Sequence, residues 1–525
     1  MRSTAALEPA PRSRALPALV GLAAFAFYLQ LTPAISGFGD GPEFTVVLAK
    51  AGLAHPTGYP LYTLAGHLFV VALHAIGVPW AFAANAWSGA GAATAAALFF
   101  ALARDLASLG PPATANRRAG SVAGLFLAAV FAVHPVLVSE ATQAEVNAWS
   151  VAWTCAAGIA FLALLRRPAL SRRGGALWGL VCGLGLAHHL LSVLVLAPLT
   201  AGLAWAAARR GALRPALVVT AAAAGIAPLL SYGFVAWRVF HPAPGQWPDV
   251  IPTAAGILAH VTGSVYRAYL GFFAPDRHNA EMLAWCVYPL LVPGAAFLAV
   301  ALWRSRDATR RLAWGSLLAA MLAATLFVFR YGVPDPAPYF LPAVALCLLG
   351  LAPPIAALAA GLNETPVAVR WIAALLAAVV VVFFAADGVR QSAREKAQLA
   401  RFDRLVRSMW EAVPPDSAIV VYPADQHRRL VEYQVLRGEK RALYVTTLEG
   451  LGEPPTRAEI RRRFGVDPME GEAIPEVPAD AAAAGRVKSE FFLRLLRDLN
   501  ARVRVPVIVF DPTVPMVEAL RKPGE

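Results

Sequence analysis

The sequence predicts an all-α polytopic membrane protein that carries a small α/β soluble domain at its C-terminal end. Three observations lead there. Of the 525 residues, 58% are hydrophobic and 15% charged, with a positive mean hydropathy, which lies outside the range of soluble globular chains. Apolar stretches of membrane-crossing length recur as far as residue 386. From Asp387 onward, 23 Lys/Arg stand against 21 Asp/Glu and the apolar residues become amphipathically spaced. The expected units are therefore a membrane domain over 1–386 and an extracytoplasmic α/β domain over 387–525.

At the start of the chain Arg2, Arg12 and Arg14 precede the apolar run Leu16–Ile35. The run is long for a signal peptide and reads as an uncleaved first span. Further spans are expected near 81–103, 120–138, 147–165, 175–189, 190–208, 215–237, 282–303, 312–330, 337–358 and 370–386, eleven in all. A twelfth apolar stretch, Leu61–Gly77, is interrupted by His67 and His74. If it does not cross, eighteen basic residues of the membrane part fall on the cytoplasmic side and five (Lys50, Arg238, Arg267, Arg277 and Arg330) on the outer side. That asymmetry is what orientation by positive charge requires. Leu61–Gly77 is accordingly read as a helix lying in the outer surface.

The same topology places eight of the twelve membrane-part carboxylates outside: Asp40, Glu43, Glu140, Glu145, Asp249, Asp276, Glu281 and Asp335. The outer mouth is thus where a site is expected. In the C-terminal domain Leu399 to Val413 form a helical stripe, and strands are expected at Ala418–Tyr422, Ala442–Thr447 and, last, Val505–Phe510. Helices are expected at Gln426–Arg437 and Glu490–Asn500, and a loop over Glu470–Pro478. Cys155, Cys182, Cys286 and Cys347 lie in apolar runs and read as small buried hydrophobes. The net charge of +13 sits mainly in short loops and marks topology; no nucleic-acid partner is implied. There is no phosphate-cradling loop, dinucleotide fingerprint or zinc spacing, which argues against nucleotide-driven chemistry.

The chemistry concentrates in Ser36–Tyr62. Asp40 and Glu43 are spaced i, i+3 and share a helix face if Gly41 onward is helical; the pair also fits a capping box with Pro42 in the first turn. His55-Pro56-Thr57-Gly58-Tyr59-Pro60 is a turn stiffened by proline, with Gly58 allowing close approach. Glu145 opens the fourth span, His188 and His189 sit at an outer turn, and Arg267 lies in the longest outer loop. Arg330 closes the ninth span, with Asp335 and Tyr339 after it. An outer arginine, placed against the charge rule, suits a phosphate.

Gly39-Asp40 with Glu43, followed by His55-Pro56-Thr57-Gly58-Tyr59-Pro60-Leu61-Tyr62, resembles the signature of the domain-of-unknown-function 2723 family, related to transmembrane protein O-mannosyltransferases. Glu145-Val146, His188-His189 and the Val333–Pro342 run extend the likeness, while Thr57 and Asn147 depart from the usual pattern. The resemblance implies a GT-C glycosyltransferase fold. It implies transfer of a sugar, mannose among the candidates, from a polyprenyl-phosphate-linked donor lipid to a hydroxyl of a protein, glycan or lipid acceptor, on the outer face of a bacterial inner membrane.

Such a donor needs no nucleotide, and its leaving phosphate needs no general acid. One carboxylate must take the acceptor's proton and a cation must steady the phosphate. On this reading Asp40 is the base and Glu43 or Glu145 an orienting or metal-binding partner. Arg330 or Arg267 meets the phosphate, and His55, Tyr59, His188, His189, Asp335 and Tyr339 line the substrate site. A divalent metal is compatible with the carboxylates, and no other cofactor is implied. The competing reading is a transporter or lipid-carrier flippase, which also uses intramembrane charges and broken spans; the appended outer domain and the lack of an inverted repeat count against it.

Overall fold

The computed structural model describes residues 15–109, 117–248, 250–271, 273–414, 417–422, 427–472, 475, 481–503, 505–509 and 516–519. Arg2, Arg12, Arg14 and Asp249 lie outside the described residues, as does part of the loop expected at Glu470–Pro478.

Helices stand where each apolar stretch was expected. The chain enters through α1 (Ala15–Leu31), makes an excursion through α2 (Gly41–Lys50) and α3 (Pro60–Ala75), and returns along α4 (Trp80–Ala107). Next come α5 (Arg117–Ala132) with α6 (Pro135–Thr142), α7 (Asn147–Leu165), α8 (Arg172–His188), α9 (Val193–Arg209), and α10 (Pro215–Leu229) with α11 (Tyr232–Phe240). A second excursion holds α12 (Ala254–Val261). It leads to α13 (Arg277–Met282), α14 (Tyr288–Arg304), α15 (Ala308–Phe329), the pair α16 (Leu341–Gly350) and α17 (Ala352–Leu362), and finally α18 (Val367–Ala412). By length and composition eight of these helical segments can cross a membrane, and the α5–α6 pair makes a ninth. The other two of the eleven, α1 and α8, are 17 residues each. The expected span at 120–138 is broken: Pro135 cannot supply its N–H, and α5 and α6 meet at 61°. His134 in the break is fully buried and bonds through Nε2 to the Cys286 carbonyl at 2.9 Å.

α3 buries Tyr62, Thr63, Gly66 and Val70 and exposes Leu64, Leu68 and Val71, the apolar outer stripe of a helix lying along a surface. α4 is the central helix, packed against α1, α5 and α7, with alanine at most of its buried positions. α8 and α10 meet through small residues at a four-residue repeat, Gly175, Gly179 and Gly183 against Leu217, Ala221 and Gly225. Such stripes let helix backbones touch where lipid offers no hydrophobic drive to pack.

The boundary expected at residue 387 falls inside α18, a single helix of 46 residues, so no linker separates the two units. Its apolar stretch has no fully buried residue, though Val381 and Phe384 pack against the membrane core, while Leu399, Val406, Met409 and Trp410 of its far half are buried. Beyond it lie β1 (Ile419–Val421), α19 (His427–Arg437), β2 (Tyr444–Thr446), α20 (Pro454–Phe464), α21 (Ala481–Arg502), β3 (Pro506–Val509) and β4 (Met516–Ala519). The sheet order is β2-β1-β3-β4, with β1 parallel to β2 and β3, and β4 antiparallel to β3. Val505–Phe510 is therefore not the last strand, and α20 adds a helix absent from the sequence reading. Val420 and Tyr422 face α18 and α19; Ile419 and Val421 face α20 and α21. The strand alternates between two helical layers.

A Cβ at Gly179 would fall 1.9 Å from the Ala221 carbonyl oxygen, and one at Gly183 2.1 Å from that of Gly225. Gly179→Val or Gly183→Val should therefore force α8 and α10 apart, at a cost of roughly 1–3 kcal/mol each, read as a lower thermal midpoint of the purified protein. Gly233→Ala, which meets nothing within 4 Å, is the control.

Candidate active site at the first outer excursion

Asp40 stands at the N-terminal end of α2, yet its side chain caps nothing there. Half of that side chain is open, at 52% exposure, whereas Glu43, one helical turn on, is 1% exposed. Glu43 does not reach back to the helix start either. Its Oε1 accepts from the His55 backbone N–H at 2.7 Å and lies 3.1 Å from His55 Nδ1. The capping-box reading is thus replaced: the inner carboxylate ties α2 to the His55 turn, and the outer one is presented to the mouth.

The turn is held from all sides. Gly58 (φ +85°) and Tyr59 (φ +40°) take left-handed backbone conformations, and a Cβ on Gly58 would meet Val235 Cγ2 at 3.0 Å. His260 of α12 bonds through Nε2 to the Ala54 carbonyl at 3.0 Å, and the Trp247 N–H donates to the Leu53 carbonyl at 2.8 Å. The second excursion therefore clamps the first. His55 Nε2 points to Asp40 Oδ2 at 3.7 Å and to the Tyr59 hydroxyl at 3.4 Å.

Burial by itself would push the Glu43 carboxyl up. The charge and hydrogen bonds of His55, joined by Arg428, outweigh it and hold Glu43 well below the usual carboxylate range. Burial would likewise lower His55, but the charges of Asp40 and Glu43 raise it, so the ring is an imidazolium. His260 has no such carboxylate pair against it, and burial brings it down to about 4. Glu145 is pushed well up, first by burial and then by the Asp40 and Glu140 charges.

The remaining expected residues fall into two groups. Glu145 sits on the far wall, its backbone N–H donating to Ser88 Oγ at 2.9 Å and its carbonyl accepting from that hydroxyl at 2.8 Å. His188 Nε2 lies 3.2 Å from the Val146 carbonyl and so steadies the backbone beside Glu145; His189 packs against the Tyr59 ring at 5.4 Å. The second group is joined by an antiparallel bridge between Leu270 and Tyr331. The Gly271 N–H donates to the Arg330 carbonyl, and the Gly332 N–H to that of Tyr269, both at 2.6 Å. This bridge brings the Arg267 and Arg330 segments together, and both side chains are exposed. Tyr339 stacks edge-on to Tyr331 at 5.3 Å. The Asp40 charge acts on Tyr59, Tyr266, Tyr339 and Glu145, and Asp335 acts on Glu140 and Glu145, so the two groups face one site.

Sequence reasoning missed the contribution of α19. Arg428 is 7% exposed, stacks over Trp247 at 4.5 Å and brings Nε to 3.8 Å from Glu43 Oε2. Arg429 is 1% exposed and donates through Nη2 to the carbonyls of Ser36 and Gly37 at 2.7 and 2.8 Å, and through Nη1 to Ser36 Oγ. Ser36 Oγ donates in turn to Glu432, and Asp403 lies 3.6 Å from Arg429. Two adjacent arginines followed three residues on by a glutamate were the only signal, and they sat in a domain read as separate.

Oxygens of Asp40 and Glu43 and a ring nitrogen of His55 lie within 4.8 Å of one another, a donor set that fits a divalent cation.

Residues 40–210 match the family profile described as protein O-mannosyl-transferase TMEM260 N-terminal domain, which bears out the resemblance read from the motif residues. No curated protein matches the sequence. Among solved structures, ArnT from Cupriavidus metallidurans bound to undecaprenyl phosphate is similar over 83% of this chain and 90% of its own, at 10% identity and a TM-score of 0.49. The Archaeoglobus fulgidus oligosaccharyltransferase in complex with Zn and sulfate is similar over 93% and 68%, at 14% identity and a TM-score of 0.48.

Removing Arg429 leaves the Ser36 and Gly37 carbonyls buried without this donor and Glu432 buried without this cation. Arg429→Ala is expected to destabilise the docked domain by roughly 3–5 kcal/mol and to open Ser36–Asp40 to limited proteolysis. Arg429→Lys, lacking the planar fork, should restore only part of the protection. An unchanged cleavage pattern in Arg429→Ala would count against the pin.

Proposed function

We propose that the chain is a membrane glycosyltransferase, a reading its match to the O-mannosyl-transferase profile supports, and that it moves a sugar from a polyprenyl-phosphate-linked lipid to an acceptor hydroxyl at the outer face of a bacterial inner membrane. The observation that carries the reading is the division between two neighbouring carboxylates. Asp40 is open to an incoming acceptor, and Glu43 is sealed behind it against His55 and Arg428.

In this mechanism the acceptor oxygen attacks the anomeric carbon as the bond from that carbon to the phosphate oxygen breaks. The acceptor's proton passes to Asp40, and the electron pair of the broken bond leaves on the lipid phosphate. Asp40 suits the base because its half-open carboxylate faces the mouth beside His55, while burial and the neighbouring carboxylate charges push Glu145 up, toward the form that can donate to a sugar oxygen. Glu43 keeps the imidazolium in place. Arg267 and Arg330, on bridged segments at the rim, neutralise the leaving phosphate, and Tyr59, His189, Asp335 and Tyr339 bound the sugar. A divalent cation held by Asp40, Glu43 and a deprotonated His55 ring would take the place of the imidazolium and supply positive charge at the site.

Asp40→Asn preserves size and removes the proton acceptor. Turnover with a polyprenyl-phosphate sugar should fall about a hundredfold or more while donor binding and thermal stability hold. Normal turnover would exclude Asp40 as the base. Glu43→Gln should instead lower stability together with activity, because the inner carboxylate holds the turn.

Arg330→Ala, and less so Arg267→Ala, should weaken donor binding by the roughly 1.5–3 kcal/mol of a charge-assisted contact, with partial rescue by lysine at 330. Equal donor affinity in wild type and Arg330→Ala would place the phosphate elsewhere.

A further inference from the structure

A large cavity lies outside the catalytic pit. It is a cleft of about 1160 Å³ between the C-terminal domain and the outer segment 239–252, larger than the few hundred to a thousand Å³ typical of small-molecule sites. Three features define what it fits. First, its floor is the edge of the sheet: β2 is the outermost strand, and residues 443–447 line the cleft. The Tyr444 N–H donates to the Ala418 carbonyl at 2.9 Å, and the Thr446 carbonyl accepts from the Tyr422 N–H at 3.0 Å. In a parallel ladder the intervening residue, Val445, then turns its N–H and C=O away from β1, toward the open edge. Second, the cleft separates the two helical layers, α19 on one side and α20 on the other, as expected of the slot that a further strand of the same sheet would occupy. The opposite wall is fixed by Gly245 (φ +70°), which approaches α19 so closely that a Cβ would lie 2.8 Å from Val435 and 3.0 Å from Val431.

Third, the charge is one-sided. Lys50, Arg441, Arg462 and Arg463 line the cleft against a single carboxylate, Glu459, which Arg462 and Arg463 share at 2.6 Å each. Arg463 lies over the Tyr444 ring at 5.4 Å, so a cation flanks the strand edge itself. The inner end of the cleft reaches Arg428 and Trp247. These touch, on their other sides, Glu43 (3.8 Å) and the His55 ring (5.9 Å).

We propose that this cleft is an exosite that binds an extended, acidic polypeptide segment of the acceptor by adding it to the edge of β2, and so delivers a hydroxyl farther along the same chain to Asp40. The proposal rests on the transferase reading above for the identity of Asp40, but not for the binding itself. Main-chain pairing with Val445 supplies sequence-tolerant affinity, and the alternation of an extended strand turns every second side chain toward the cationic α20 wall. A segment with acids at alternate positions is therefore preferred. An acidic glycan would use the cations but not the strand edge.

The test uses the full-length protein in lipid nanodiscs and a fluorescent peptide of about six residues, the length of an ordinary strand, with glutamate at alternate positions and no hydroxyl side chains. Fluorescence anisotropy should show binding that weakens with salt and drops at least tenfold in the Arg441→Glu/Arg463→Glu variant. The same peptide N-methylated at the residues that pair with β2 should lose at least tenfold in affinity for the unaltered protein, a comparison independent of whether any variant folds. Asp40→Asn should bind the peptide as the wild type does. If the peptide does not bind, if the N-methylated peptide binds equally well, or if an acidic oligosaccharide of matched charge binds more tightly, the exosite assignment is overturned. Retained binding without transfer to a hydroxyl-bearing extension of the peptide would leave the exosite standing and count instead against the transferase reading.

Discussion

A guanidinium that is 1% exposed must find its partners inside the protein, and Arg429 makes its hydrogen bonds to Ser36 and Gly37, with Asp403 and Glu432 each 3.6 Å away. That constraint organises the outer face. Ser36 and Gly37 lead directly to Asp40, so the helix that carries Arg429 also fixes where the chain enters α2. Its neighbour Arg428 closes the back of Glu43. The soluble domain therefore forms part of the site, and the site exists only when both parts are docked.

The two carboxylates of α2 show how burial assigns roles to similar groups. Both are acids one turn apart, and both act on His55. Glu43 exchanged solvent for two hydrogen bonds and two cationic neighbours and has no surface left on which to meet a substrate. Asp40 kept its surface. Against the effect of burial, both charges raise the His55 ring between them, while burial and neighbouring carboxylates push Glu145 toward the neutral form. His260 against the same turn is lowered by burial, and its bond to the Ala54 carbonyl offsets only part of that.

Much of the membrane architecture was legible because lipid imposes it: runs of about 20 apolar residues can be little else but helices. The placement of Leu61–Gly77 as a surface helix came from charge counting, and the outer stripe of Leu64, Leu68 and Val71 agrees with it. Local punctuation was less legible. Pro135 breaks a span that hydropathy reads as continuous, and α20, with three consecutive arginines and little apolar surface, has no strong period to announce it. That Asp40, Glu43 and His55 come together was readable from the motif, but not the difference in their burial, since Asp40 and Glu43 differ in what packs behind them. What packs there is Arg428, 385 positions from Glu43 in sequence. No local pattern encodes a contact of that range.

The helix that joins the two parts makes such distant contacts reproducible. α18 runs 46 residues without a break, roughly 69 Å at 1.5 Å per residue, and is tied to α1 where it leaves the membrane part, through Ser392 Oγ to the Leu31 carbonyl and Lys396 Nζ to that of Gln30. A continuous helix transmits register as a screw does. One residue inserted after those ties would turn everything beyond it by about 100° and advance it by about 1.5 Å, carrying Arg428 and Arg429 away from the loop they hold. The length of α18 is thus as much a part of the geometry of the site as the turn that holds Asp40. Relatives of this chain can vary the helix's outward side chains freely, but can exchange soluble domains only where the residue count between membrane and α19 is kept.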